Sequence, residues 1–258
     1  MVDSVKWVWK GHDVTPAQED DQEIRLSPSD APLKEKYGYA ERQIKMLNGI
    51  KLHDAGFRGE GMRVAVIDAG FQNVDRICVF DSLQLIGPHN VIYPGRSGYE
   101  AGDHGTKVLS CMAANMPGIM VGTAPKASYL LIKSEDSDSE YPIEEDYWAA
   151  AVEYADSVGV DVISSSLGYF AFDADELSYD QSALDGKSSL ISQAAHIAAQ
   201  KGILMFCSAG NEGVGSWGKI TFPSDASDIL TVGSITEDKK KSIMSSGIRI
   251  RKNSIAFS

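Results

Sequence analysis

The 258 residues predict an α/β fold built on a mostly parallel central sheet, and three observations carry that expectation. Val64, Ala65, Val66 and Ile67 form an unbroken apolar run, the pattern of a strand buried on both faces. Similar runs recur at 128–133, 160–165, 203–207 and 229–235, separated by segments with helical spacing. Three of the runs pass directly into a polar residue and a glycine: Asp68-Ala69-Gly70, Ser166-Leu167-Gly168 and Ser208-Ala209-Gly210-Asn211. Strands joined through helices run parallel, and ligands of open parallel sheets bind at the carboxyl ends of the strands. That is where these polar residues fall.

In chain order, residues 1–38 stand apart, with Trp7, Val8 and Trp9 followed by an acidic, proline-containing stretch. They are expected to form an arm or linker, and residues 39–258 the main domain. Ile44, Leu47, Ile50, Leu52 and Ala55 give a helical pattern over 39–56, closed by Gly56, with His53 as a packing residue. Residues 71–101, rich in Gly, Pro and Asn, follow the first strand as an irregular segment holding Asp75, Asp81 and His89. Val108, Leu109, Cys111 and Met112 then mark a helix from 104 to about 115, stopped by Pro117-Gly118. Residues 135–145 are strongly acidic and read as a solvated loop, or as the rim of a cleft that favours basic peptide residues. A helix over 144–158 buries Trp148, Ala151, Val152 and Ala155 before Gly159 ends it. The aromatic, acidic loop 169–187 reads as a second stretch of rim. A helix over 188–201 is expected to bury Leu190, Ile191, Ala194, Ala195 and Ala198, with His196 structural. Beyond 238 the pattern weakens, and 248–252 alternates apolar and basic residues.

Composition narrows the function. With 43% hydrophobic and 23% charged residues, the chain can bury a substantial core. A net charge of −12 and a pI near 4.8 disfavour nucleic acid and anionic membrane as partners. No run reaches the roughly 18 apolar residues of a membrane span, and the N-terminus shows no signal-peptide pattern. Cys78, Cys111 and Cys207 form no paired framework; Cys111 and Cys207 lie in apolar runs and read as buried thiols.

The chemistry concentrates in a few residues. Asp68 ends a buried strand, where an unpartnered carboxylate would be costly. His104, in Gly102-Asp103-His104-Gly105-Thr106, opens a helix whose positive end opposes imidazole protonation, as suits a neutral general base. Asn211, presented beyond a strand end by Ala209-Gly210, is placed to donate to an oxyanion.

In these motifs the chain resembles the subtilisin-like serine proteases. Asp68-Ala69-Gly70, His104-Gly105-Thr106 and Ser208-Ala209-Gly210-Asn211 match the family's signatures in order, and Ser166-Leu167-Gly168 its substrate-binding strand. The resemblance runs from about residue 39 to 235. It implies a three-layer sandwich, peptide-bond hydrolysis by an Asp-His-Ser triad, and a peptide or protein substrate. Asp68 and His104 would serve as triad members and Asn211 as the oxyanion donor. Ser166, Leu167, Gly168, Ser208, Ala209 and Gly210 would line the substrate. It further implies a cis peptide bond before Pro223, no required cofactor, and secretion or a periplasmic location. Structural calcium occurs in the family, but no oxygen-ligand spacing stands out around Asp75 and Asp81.

One part is missing from the pattern. The family's nucleophile lies in a Gly-Thr-Ser motif downstream of the oxyanion asparagine, and these residues contain none, nor any Gly-x-Ser-x-Gly elbow. The expected domain is therefore incomplete at its C-terminal part and inactive as given. The alternative is a non-catalytic homologue that binds peptide or serves as an interaction module. A dinucleotide-binding reading fails because no Gly-x-Gly-x-x-Gly follows Ile67.

Overall fold

A computed structural model describes residues 36–99 and 102–247. In chain order the helices and strands are α1 (Glu41–Met46), α2 (Gly49–Asp54), β1 (Arg63–Asp68), β2 (Gln84–Asn90), α3 (His104–Ala113), β3 (Asn115–Met116), β4 (Met120–Val121) and β5 (Ser128–Lys133). There follow α4 (Ile143–Val158), β6 (Val162–Ser165), α5 (Leu190–Gln200), β7 (Leu204–Ser208) and β8 (Leu230–Val232). Most of the arm expected over 1–38, and the alternating stretch 248–252, lie outside the described residues.

Six strands form one sheet in the order β2-β5-β1-β6-β7-β8, and every neighbouring pair is parallel. All carboxyl ends therefore share one edge. The apolar run of β1 divides its side chains between two layers, as period-two alternation requires. Ala65 and Ile67 pack with Leu130, Ile132, Ile163 and Met205 beneath α4 and α5. Val64 and Val66 pack with Tyr129, Leu131 and Leu109 beneath α3. The result is the expected sandwich, helices on both faces of a parallel sheet.

Topology locates the crevice. From β1 the chain leaves toward β2, on one side of the sheet; from β6 it leaves toward β7, on the other. Adjacent strands whose connections diverge open a gap at their carboxyl ends, here between Asp68 and Ser166. The crossovers themselves differ in hand. Those through α3 (β2 to β5), α4 (β5 to β6) and α5 (β6 to β7) all step the same way along the sheet. Yet α3 packs on the face opposite α4 and α5. One hand is therefore the reverse of the usual right-handed connection, which holds in roughly 98% of cases.

Several local expectations are corrected. The pattern over 39–56 is two short helices, interrupted where Asn48 takes a left-handed conformation at φ 58°. Segment 71–101 supplies an edge strand, β2, which lacks apolar alternation because its side chains are largely exposed. The helix from His104 stops at Ala113, and Asn115 begins a two-stranded hairpin. Leu190 opens α5 but stays 42% exposed, because the helix turns Ile191, Ala195 and Ala198 inward instead. Cys111 is exposed on α3, whereas Cys207 is buried and its thiol is pushed up to about 12 by desolvation. Loop 169–187 is not simply a rim, since Tyr169 and Phe172 are core residues. His53 is packed, held between the Tyr37 hydroxyl at 3.1 Å and the Thr123 carbonyl at 2.8 Å.

Candidate active site

Asp68 ends β1, and its side chain is fully buried. Its Oδ1 accepts the Ala69 amide at 2.8 Å and lies 2.7 Å from His104 Nδ1. His104 is the first residue of α3, and half of its ring is exposed to solvent. The carboxylate thus holds one imidazole nitrogen as a donor and leaves Nε2 available as an acceptor. A close helix–strand approach makes this contact, and only glycine permits it at position 105. A Cβ there would fall 2.5 Å from the Gly70 carbonyl oxygen and 2.9 Å from Asp68 Cβ.

The opposition of the helix end to protonation of His104 is outweighed by its carboxylate partner. Hydrogen bonding to Asp68 raises its pKa above the ordinary histidine value, outweighing burial, and Glu135 adds to the rise. Magnitudes agree: a helix terminus contributes about 0.3–1 kcal/mol, a hydrogen bond to a charged group about 1.5–3. Asp68→Asn removes the dominant cause and leaves burial, so the His104 titration followed by NMR moves to lower pH. An unmoved titration would show that Asp68 does not control the imidazole.

The remaining residues follow from strand register. Ile67 pairs with Ser165 and Ser165 with Cys207, so β6 and β7 end level with Asp68. Strands spaced about 4.8 Å apart put the ends of β1 and β7 roughly 10 Å from each other. Ser165 Oγ accepts the Trp148 indole N–H at 2.9 Å, tying the end of β6 to α4. Leu167 is buried, and Gly168 runs against Thr221, whose Oγ1 would sit 2.1 Å from a Cβ at 168. Thr221 also donates its amide to the Ala209 carbonyl at 3.3 Å, so it joins segment 166–168 to segment 208–210. Asn211, beyond Gly210, is exposed at the same edge. The Phe222-Pro223 bond beside Thr221 is cis, as expected.

Sequence reasoning missed Lys133, Thr221 and Ser246, and read Glu135 only as part of the acidic run 135–145. Lys133 ends β5 opposite Asp68 in register, and its buried Nζ donates to the carbonyls of Ala69 and Glu135. Its place at the end of an apolar run was the available sign. Thr221 carried no such sign. Ser246, fully buried, donates its amide to the Gly210 carbonyl at 2.9 Å, and its Oγ accepts the Glu212 amide at 2.9 Å. Glu135 lies near enough to Asp68 and His104 for their charges to interact. Of the other histidines among the described residues, His89 stacks on Tyr154, and His196 bonds to Ser227 and Gln200. Among the described residues no three His, Cys, Asp or Glu side chains converge to hold a metal ion.

The chain is 29% identical to the major intracellular serine protease of Bacillus subtilis (strain 168) over 75% of its length and 57% of that protein's. It is 28% identical to subtilisin E of the same organism, over 87% of this chain and 56% of that protein. It thus spans little more than half the length of these relatives. The self-cleaved protease domain of PatA shares the fold, with a TM-score of 0.55 at 21% identity over 73% of this chain and 63% of that one. The model of the subtilase family, Peptidase_S8, matches residues 59–256, and the chain belongs to that family.

Proposed function

We propose that the chain carries the aspartate–histidine half of a subtilisin-type serine endopeptidase, acting on peptide or protein substrates. The observation that supports this reading most is the 2.7 Å contact between Asp68 Oδ1 and His104 Nδ1 at the topological crevice. In it His104 takes the proton from an attacking hydroxyl, and Asp68 stabilises the imidazolium that results. Asn211 donates to the developing oxyanion, and segments 166–168 and 208–210 hold an extended peptide by main-chain pairing. An acidic chain with net charge −12 suits peptide better than nucleic acid. No helix among the described residues is long and apolar enough to cross a membrane. Secretion or a periplasmic location rests on family resemblance, and one relative is named an intracellular protease.

The 258 residues hold no Gly-Thr-Ser, so the attacking hydroxyl belongs to a position that they do not supply. A second reading is a non-catalytic homologue that binds peptide in the same crevice. Incubated with a fluorophosphonate probe, the 258-residue chain is expected to remain unlabelled and to leave casein intact. Stoichiometric labelling would show a nucleophile among these residues and refute that part of the reading. A longer gene product that labels, and loses labelling on His104→Ala, would favour the peptidase over the binding module.

A further inference from the structure

A carboxylate that is free to turn would be a poor partner for an imidazole. Among the described residues Asp68 receives two hydrogen bonds, both on Oδ1: the Ala69 amide at 2.8 Å and His104 Nδ1 at 2.7 Å. Its buried Oδ2 accepts none. The aim of the carboxylate therefore depends on how firmly Ala69 is held. Ala69 lies one residue past the end of β1, where the chain leaves the sheet and strand pairing no longer fixes it. No backbone amide among the described residues donates to its carbonyl.

Lys133 supplies that donor. It ends β5 in register with Asp68 and is 7% exposed. Its Nζ donates to the Ala69 carbonyl and, at 2.8 Å, to the Glu135 carbonyl. Ala69 is thus held at both ends, its amide by the carboxylate and its carbonyl by the ammonium. Gly102 closes over the same carbonyl, since a Cβ there would fall 2.8 Å from the Ala69 oxygen. A buried ammonium is a costly way to end an apolar strand. Burial pulls the Lys133 pKa below the ordinary lysine value, although Asp136, Glu135, Asp138 and Asp68 all act to raise it. Among the described residues Lys133 forms no ion pair to offset that cost. Its hydrogen bonds go to main-chain carbonyls instead.

We propose that Lys133 is a positioning residue of the Asp68–His104 pair. By drawing the Ala69 and Glu135 carbonyls onto one ammonium, it fixes the turn after β1 and so aims the Asp68 carboxylate at His104 Nδ1. It acts through Ala69 rather than on the imidazole itself. The inference rests on the peptidase reading above and adds the residue that sets the geometry of its dyad.

The test reads the tautomer of neutral His104 in the 258-residue protein. With Nδ1 donating to Asp68 the ring is held in the Nδ1–H form, and nitrogen NMR above its titration gives the ratio of Nδ1–H to Nε2–H forms. Lys133→Met removes every donor and is expected to lower that ratio about tenfold, the effect of losing a well-aimed charged hydrogen bond. Lys133→Gln is neutral, shorter, and able to reach one carbonyl at most. It should lower the ratio less, and its retained donor guards against a folding defect in the first variant. Urea midpoints measured alongside separate loss of stability from loss of aim. A native ratio in either folded variant would overturn the positioning role and leave Lys133 structural. Equal losses in the two would trace the effect to the missing charge and overturn it as well. Asp68→Asn is the control on the dyad. If it leaves the ratio unchanged, the peptidase reading fails together with the inference. A ratio that responds to Asp68→Asn but to neither Lys133 variant removes the inference alone.

Discussion

Replacing Trp148 with alanine lowers the unfolding free energy by about 3–5 kcal/mol, the usual range for a buried aromatic truncated in a core. Trp148 is fully buried in α4, among the residues that join β1, β5 and β6 to the two helices on that face. Its loss leaves a cavity and also orphans the Ser165 hydroxyl that now accepts its indole N–H. Because Ser165 precedes segment 166–168, the variant should lose peptide binding as well as stability. Trp148→Phe separates the effects, keeping most of the volume while removing the hydrogen bond. Urea titrations of both variants check the order: alanine well below phenylalanine, phenylalanine about 1–2 kcal/mol below the native protein. Equal destabilisation by both would assign the whole effect to the hydrogen bond.

Glu144→Gln stabilises the protein at pH 8 and does little at pH 5. Desolvation, helped by Glu140 and Glu135, pushes Glu144 up to about 8, and desolvation pushes Glu140 up to about 7. Between the ordinary carboxylate range and those values the folded protein binds more protons than the unfolded chain. Stability therefore falls as pH rises from about 5 to 8. His104, raised by Asp68, acts in the same direction. The lowered carboxylates Asp180, Asp185 and Asp238 titrate below this window, whereas His89, lowered by burial, titrates within it and opposes the trend in part. One pH unit of displacement corresponds to about 1.4 kcal/mol, and solvent screening at the half-buried Glu140 reduces the full figure, leaving about 2–4 kcal/mol for the pair. Denaturant midpoints at pH 5 and 8 measure it. A native protein more stable at pH 8 would contradict the burial of these carboxylates.

The sheet was largely legible because burial on both faces leaves a mark that does not depend on context. Continuous apolar runs at β1, β5, β6 and β7 announced the strands, and their polar C-terminal residues announced the edge. Strand β2 was illegible for the converse reason: an edge strand with exposed side chains has no apolar pattern to read. Leu190 and Cys111 were misplaced because helical periodicity shows that one face is buried, and not how far the buried arc extends.

By itself the sequence determined which residue types stand at the strand ends, in the order Asp68, His104, Ser166, Asn211, since local pattern and turn chemistry are encoded over a few residues. Tertiary structure alone decided that α3 returns on the opposite face to α4 and α5 and brings His104 onto Asp68. It also decided that Asp68 raises the imidazole's proton affinity against the helix end, and that Glu144 is sealed in without a partner. These are consequences of contacts between residues tens of positions apart, where burial and distance set the energy of a charge and composition does not.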